Sequence, residues 1–297
     1  MNVLSLCDGM SCGQIALKEL GYKVDSYYAS EIDHNSIAVT MANFPDTVQL
    51  GDVTKLTEDA VKALPKIDLV MFGSPCRSLS AATRGHNGYN DGLEGISGLF
   101  YDCVRVLNWV RETNPGVRFL VENVTSNKVD DLKAMTNALG VEPVEINSAR
   151  FSAQERKRLY WTNIPLDEVD GESGAVLGDV LETGVDEKYF YKEGFTETDP
   201  DKRVVAILGI NGHDCIKRVY NRNMKAPTLT SCRGGNRQHK VIDGGRVRRL
   251  TPTEYRRLQT VPDWVKMPVA NSHIYNMLGD GWNIRTIEFL LNNVEAV

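Results

Sequence analysis

Apolar and polar positions follow two different periods along the first half of the chain. Short β-rich runs at residues 3–6, 24–29, 68–72, 118–121 and 142–146 are separated by stretches of helical spacing. Continuous or alternating apolar runs read as strands, and apolar residues three and four apart read as amphipathic helices. Helices are expected at 12–20, closed by Gly21, and at about 35–43, ending before Pro45. Another is expected at 98–111, where Leu99, Cys103, Val106, Leu107 and Val110 form one stripe, and a fourth at 129–139, ending at Gly140. A further strand at 158–162 is a candidate for hairpin pairing. Strands alternating with helices specify an α/β fold with a mostly parallel sheet.

The pattern changes after Pro165. Residues 166–201 carry 12 acids against Lys188 and Lys192, Gly and Pro interruptions recur to about 245, and no long helical period appears. Residues 166–265 are therefore expected to form a second, smaller, irregular and partly β lobe. Helical spacing returns at 286–293, so 266–297 is expected to dock back and complete a main domain of 1–165 plus 266–297.

Charge changes the picture locally. The net charge of −5 argues at first against a nucleic-acid partner, but residues 202–257 hold 14 Lys/Arg against 3 acids, a local excess of +11. Phosphate binding depends on cations near the contact, not on whole-chain charge. A solvated basic surface with no partner accounts for the same composition. The six cysteines show no CxxC spacing and no His cluster, so no metal site is expected and the thiols read as free in a reducing compartment. No run is long and apolar enough to span a bilayer, and the N-terminus reads as a strand and not as a secretory signal. The expected location is intracellular, with no membrane partner.

Candidate chemistry gathers where strands end. The first strand runs into Asp8-Gly9-Met10-Ser11-Cys12-Gly13 and a helix, a turn whose glycines let backbone approach a ligand. The second ends in Ala29-Ser30-Glu31-Ile32-Asp33, and Gly51-Asp52-Val53 follows the next segment. Acids there can accept hydrogen bonds from ribose hydroxyls and an adenine amine; equally, they can cap helices. The first turn is not GxGxxG, which favours a nucleoside cofactor without a bridging pyrophosphate. Phe72-Gly73-Ser74-Pro75-Cys76 places a cysteine just past a strand, before a glycine-rich stretch at 81–98. A lone cysteine is also a common buried small hydrophobe. Glu122-Asn123 ends another apolar strand, and Gln154-Glu155-Arg156-Lys157-Arg158 sets two arginines on one face if extended. Together they suit covalent catalysis with a held oxyanion.

In this order, Asp8 to Gly13, Glu31, Asp52, Ser74-Pro75-Cys76, Glu122-Asn123-Val124 and Gln154-x-Arg156-x-Arg158 resemble the DNA cytosine-C5 methyltransferase family. Ala226-Pro227-Thr228-Leu229-Thr230, Arg249-Leu250-Thr251-Pro252-Thr253-Glu254, Arg257-Leu258-Gln259 and Gly279-Asp280-Gly281-Trp282 resemble its later motifs. The wording around Cys7, Glu31 and Cys76 is nearest to the animal de novo branch, in a short stand-alone form as in prokaryotes or phages. The resemblance implies a Rossmann-like S-adenosylmethionine-dependent methyltransferase fold with a target-recognition lobe over 166–265, and double-stranded DNA as substrate.

It further implies that Cys76 adds to C6 of a flipped cytosine, that Glu122 holds the N3/N4 edge, and that Arg156 and Arg158 contact O2. Glu31 would bind the ribose and Asp52 the adenine amine, with Asp8, Gly9, Gly13, Ile32, Val53, Ser74 and Trp282 around the S-adenosylmethionine. Ser80, Arg84, Thr230, Arg233 and Arg237 are the candidate DNA contacts. Two positions depart from the family: Cys7 stands where most relatives carry a Phe that packs on adenine, and Asp280 replaces a commoner Asn. Competing readings are a tRNA-modifying relative, whose Ser74-Pro75-Cys76-Arg77 context fits less well; a catalytically dead DNA-binding relative, which would lack the Pro-Cys or Glu-Asn-Val signatures; and a nicotinamide enzyme, which predicts the absent GxGxxG. No motif sets the oligomeric state.

Overall fold

The computed structural model describes residues 1–75, 98–125, 129–169, 171–232 and 234–295. Cys76, Ser80, Arg84 and Arg233, four of the candidate site residues, lie outside them. The chain divides into two compact units: Met1–Ile146 with Lys157–Glu168 and Thr286–Val297, and Asn147–Arg156 with Val169–Arg285.

In the first unit the strands are β1 (Asn2–Leu6), β2 (Ser26–Ser30), β3 (Val48–Gln49), β4 (Leu69–Gly73), β5 (Arg118–Val124), β6 (Val144–Asn147) and β7 (Lys157–Thr162). Its helices are α1 (Cys12–Glu19), α2 (His34–Asn43), α3 (Glu58–Lys62), α4 (Leu99–Thr113) and α5 (Val129–Leu139). The seven strands form one sheet in the order β3-β2-β1-β4-β5-β7-β6. β1 pairs parallel with β2 and β4, and β4 parallel with β5. β7 runs antiparallel to β5. The fold is thus the mostly parallel α/β sheet expected from the periodicity. Leu69, Val70, Met71 and Phe72 are all fully buried, which is why β4 is an unbroken apolar run and not an alternating one. Of the stripe on α4, Cys103, Val106, Leu107 and Val110 are buried with Leu4, Val70 and Val121, while Leu99 is only partly buried and Phe100, outside the expected stripe, is fully buried. The C-terminal tail is tied to this unit by the Tyr22 hydroxyl donating to Asn292 O at 2.5 Å and by Asn292 and Asn293 donating to Asp167.

The second unit carries the strands β8 (Phe195–Glu197), β9 (Val204–Leu208), β10 (Arg218–Tyr220), β11 (Lys240–Asp243) and β12 (Arg246–Arg249). Its helices are α6 (Asp214–Lys217), α7 (Pro252–Leu258) and α8 (Asn271–Asp280). Its strands form a five-stranded sheet, order β12-β11-β10-β9-β8, over a small core of Ala206, Leu208, Val219 and Val247. Strands of three to five residues are too short to show a period, so this sheet was visible in the sequence only as an irregular, partly β stretch.

The second unit takes in 147–156 and 169–285, where the sequence pattern predicts a lobe of 166–265. Hydrogen bonding gives the reason. Gln154 Nε2 donates to Leu258 O and Gln259 Oε1, both at 3.1 Å, and Leu229 N–H donates to Gln154 Oε1 at 2.9 Å. The buried Arg156 guanidinium donates to the carbonyls of Leu229, Gly279 and Gly281 at 3.1, 3.2 and 2.9 Å. A β-carbon on Gly279 would lie 2.3 Å from the Thr230 carbonyl carbon and 2.5 Å from Ser231 N. Backbone cannot yield at that distance, so Gly279→Ala should cost about 3 kcal/mol or more through overpacking. The check is denaturant unfolding of the variant, with Gly140→Ala, which meets nothing within 4 Å but has φ +77°, as the comparison for purely conformational cost.

Candidate active site

The sheet register sets one edge. Leu6 aligns with Ser30 and Phe72, and Gly73 aligns with Glu122. The segments that follow β1, β2 and β4 therefore leave the sheet at one level beside the end of β5, where open α/β sheets bind ligands.

After β1 the chain turns through alternating left-handed residues, Cys7 at φ 51°, Gly9 at 59° and Ser11 at 58°. The turn is closed by backbone hydrogen bonds, Asp8 N–H donating to Ser30 O at 3.2 Å and Ser11 N–H to Asp8 O at 3.1 Å. Gly9 N–H donates to Glu31 Oε2 at 2.7 Å, while Ile32 and Asp33 N–H both donate to Oε1 at 2.8 Å. Three of the carboxylate's four lone-pair directions are thus occupied, leaving one on Oε2. Ile32 is 67% exposed beside it. Ser30 Oγ donates to Gly51 O at 2.6 Å and so ties the end of β2 to the loop carrying Asp52. Asp52 accepts from the Thr54 N–H and hydroxyl at 2.9 and 2.8 Å, which holds its carboxyl below the usual range and fully ionised near neutrality. It caps the short turn Val53–Lys55, in which Val53 is buried. Asp33 is a helix cap, accepting from Asn35 and Ser36 N–H.

Two residues near this turn pack into the first unit. A β-carbon on Gly13 would sit 2.4 Å from the Met71 side chain, so this glycine serves close packing of α1 on β4. Cys7 is half-buried with Sγ 3.9 Å from Cys103 Sγ, packed towards α4 and the core.

Asp8 could not have been singled out for its environment from the sequence. Tyr27 OH donates to Asp8 Oδ1 at 2.8 Å, and Ser11 Oγ, itself 3.0 Å from Thr40 Oγ1, donates to Oδ2. Burial outweighs these donors and pushes the carboxyl up to about 6. No sequence signal marks Tyr27 as the partner of an acid.

At the β5 end, Glu122 is nearly buried and its Oε1 meets Arg158 Nε at 2.9 Å. Asn123 Nδ2 donates to the buried Ser74 Oγ at 3.2 Å, linking β5 to the Ser74-Pro75 segment that precedes Cys76 in sequence. The expectation that Arg156 and Arg158 share one face needs correction. Arg156 precedes β7, and its guanidinium lies on the three carbonyls of the second unit, whereas Arg158 is on β7 and pairs with Glu122. Trp282 follows Gly281 in the second unit, and its assignment to the cofactor rests on the resemblance alone.

The basic window is largely internal bookkeeping of charge. Arg203, Arg218, Arg246 and Arg256 pair with Glu155, Asp214, Glu187 and Asp263. Arg248 is fully buried between Asp243 and Glu254, both at 2.7 Å. Lys225 donates to three carbonyls. Of the candidate DNA contacts within the described residues, Thr230 and Arg237 are exposed. No group of acids, cysteines or histidines among the described residues could hold a metal ion, and no helix among them is long and apolar enough to cross a membrane.

The model of the C-5 cytosine-specific DNA methylase family matches residues 1–296, and the chain belongs to this family of enzymes. It is 28% identical over 299 residues to the type II methyltransferase M1.ScrFI of Lactococcus lactis subsp. cremoris, covering 93% of this chain and 73% of that one. It is 27% identical over 295 residues to the orphan methyltransferase M.SPRI of Bacillus phage SPR, covering 79% and 64%. The S. pombe Dnmt2 methyltransferase structure has the same fold, with a TM-score of 0.71 over 99% of this chain and 98% of that chain at 19% identity.

Asp8 yields a pH prediction. A carboxyl whose folded pKa lies above its unfolded value binds its proton more tightly when folded. Its contribution to stability is therefore complete below 3.8 and is lost as pH rises through about 6. Asp8→Asn should be more stable than wild type at pH 7 by on the order of 1–3 kcal/mol, with the gap closing by about pH 4. Urea unfolding of both proteins from pH 4 to pH 8 measures it.

Proposed function

We propose that the chain transfers a methyl group from S-adenosylmethionine to C5 of cytosine in double-stranded DNA through a covalent adduct of Cys76. The observation that carries this reading is the Glu122–Arg158 pair at the end of β5, in register with the end of β4 that leads by sequence to Cys76.

The donor set suits the nucleoside end of that cofactor. Glu31 has one lone-pair direction left for a ribose hydroxyl, Ile32 offers an apolar surface to a base, and the ionised Asp52 can accept from an exocyclic amine. When bound, S-adenosylmethionine supplies a methyl group made electrophilic by its sulfonium.

On the substrate side, the Cys76 thiolate forms a bond to C6, moving the ring's electrons towards C5. Glu122 faces the N3 edge and donates or shares a proton there, so negative charge does not build up on the ring. Arg158, fixed by Glu122, is the cation placed for O2. Arg156 acts at one remove, as the positioning residue for the Leu229 and Gly279–Gly281 backbone. After C5 is methylated, water or a side chain takes its proton, and the electrons of that C–H bond re-form the C5–C6 double bond as the C6–S bond breaks to release the Cys76 thiolate. A cytosine stacked in a duplex presents neither C6 face to a thiolate, so the base is flipped out. The enzyme is read as an intracellular DNA-modification methyltransferase, in line with the type II and phage relatives.

Tritiated S-adenosylmethionine with a duplex library, followed by bisulfite sequencing, tests this directly. Wild type should label cytosine at a defined context, and Cys76→Ser should label none. Glu122→Gln should lower kcat by about a hundredfold or more, the usual scale for a lost general acid. Duplex containing 5-fluorocytosine should form a protein adduct that survives denaturation, because fluorine cannot leave as the proton does. Labelling without any adduct would overturn the covalent route; labelling of tRNA in place of duplex would overturn the substrate.

A further inference from the structure

Lys240 opens β11 and is 1% exposed. Its neighbour across the antiparallel pair is Arg249, a like charge, and among the described residues it forms no ion pair. Burying an ammonium without a carboxylate is costly, and burial pulls Lys240 down to about 8. A Met or Leu would fill the same space at no such cost.

What the ammonium does hold is one loop. Nζ donates to Asn236 O at 2.7 Å and to Gln238 O at 2.9 Å. The Tyr191 ring lies 5.6 Å from Nζ, and the Tyr191 hydroxyl donates to Asn236 Oδ1 at 3.4 Å. The loop needs holding, because Gly234, Gly235 and Asn236 are three consecutive left-handed residues, at φ 116°, 73° and 58°. The third has a side chain and adopts that conformation at a cost. Residues 234–237 are exposed, while His239 and Lys240 are buried beneath them.

We propose that Lys240 is a positioning residue for sequence readout: its buried ammonium clamps the Asn236 and Gln238 carbonyls and so fixes loop 234–238 in the shape that presents Arg237 and Gln238 to base edges. The inference rests on reading the second unit as the target-recognition lobe. Arg and Gln are the side chains that pair in bidentate fashion with guanine and adenine in the major groove. Such contacts discriminate only when the backbone carrying them is held still. A clamp on main-chain carbonyls fixes the loop without fixing which residues it carries.

The test compares wild type, Lys240→Met and Gly235→Ala. The first variant keeps the stem and removes the ammonium. The second leaves Lys240 in place and strains the same loop at φ +73°, where a β-carbon meets nothing within 4 Å. Each protein is given the duplex library, and methylated contexts are mapped, alongside S-adenosylmethionine affinity and thermal unfolding. Both variants should lose about tenfold or more in discrimination at one or two positions of the recognised context, the scale of a single base mismatch. Cofactor affinity should match wild type and each variant should keep one cooperative unfolding transition within a few degrees of it, Lys240→Met relieved of a buried charge and Gly235→Ala strained at its φ, which a general loss of structure would not allow. If both variants methylate the same context with wild-type discrimination, the proposal is overturned while the DNA methyltransferase reading stands. If wild type methylates no duplex, or every cytosine regardless of context, the recognition-lobe reading falls and the proposal with it.

Discussion

The buried guanidinium of Arg156 is the interaction on which the second unit depends. A cation taken out of water must find acceptors, and here these are the main-chain carbonyls of Leu229, Gly279 and Gly281. Gln154 and Gln259 complete the arrangement with their amides, Gln259 donating to Leu278 O at 2.5 Å and Gly281 O at 3.2 Å. Segments more than a hundred residues apart are thereby held by side chains that donate to backbone carbonyls. Gly279 completes the fit because Thr230 passes where its β-carbon would be. The separate late motifs of the sequence are parts of this one packing problem.

The first unit solves a different problem. A parallel sheet delivers strand ends at one level, and the turns that follow must present polar groups without unpaired backbone. Glu31 does this for its own neighbours and for Gly9, which fixes the carboxylate before any ligand arrives. Asn123 does it for Ser74, and Arg158 for Glu122. Each group is held by a second, so the edge is preorganised for charge that develops elsewhere. Asp8 is the exception: burial works against its ionisation, and Ser11, Ser5 and Tyr27 only partly offset that.

Electrostatics in the second unit are chiefly architectural. Arg248, inside the most basic stretch, is sealed between Asp243 and Glu254, and Glu254 also closes the capping box of α7 with Thr251. Counting cations therefore overstates the surface available to phosphates. Arg237 is among the charges that remain outward.

The sequence by itself determined the alternation of strands and helices, and with it the parallel sheet and the edge where Glu31, Asp52, Ser74 and Glu122 gather. Periodicity and strand ends are local, so one sequence displays them. It also carried the ordered motifs that mark the family. Only the tertiary structure decided which polar groups act at that edge and which act as fasteners. Arg156 and Arg158 stand two residues apart in one motif, yet one is buried on carbonyls and the other pairs with Glu122. Gly9 and Gly13 share a turn, yet one donates to Glu31 and the other makes room for Met71. The five-stranded sheet and the buried Lys240 were likewise hidden, because short strands have no period and a lysine reads as surface. A side chain's task is set by what long-range packing brings against it, and that information is not local.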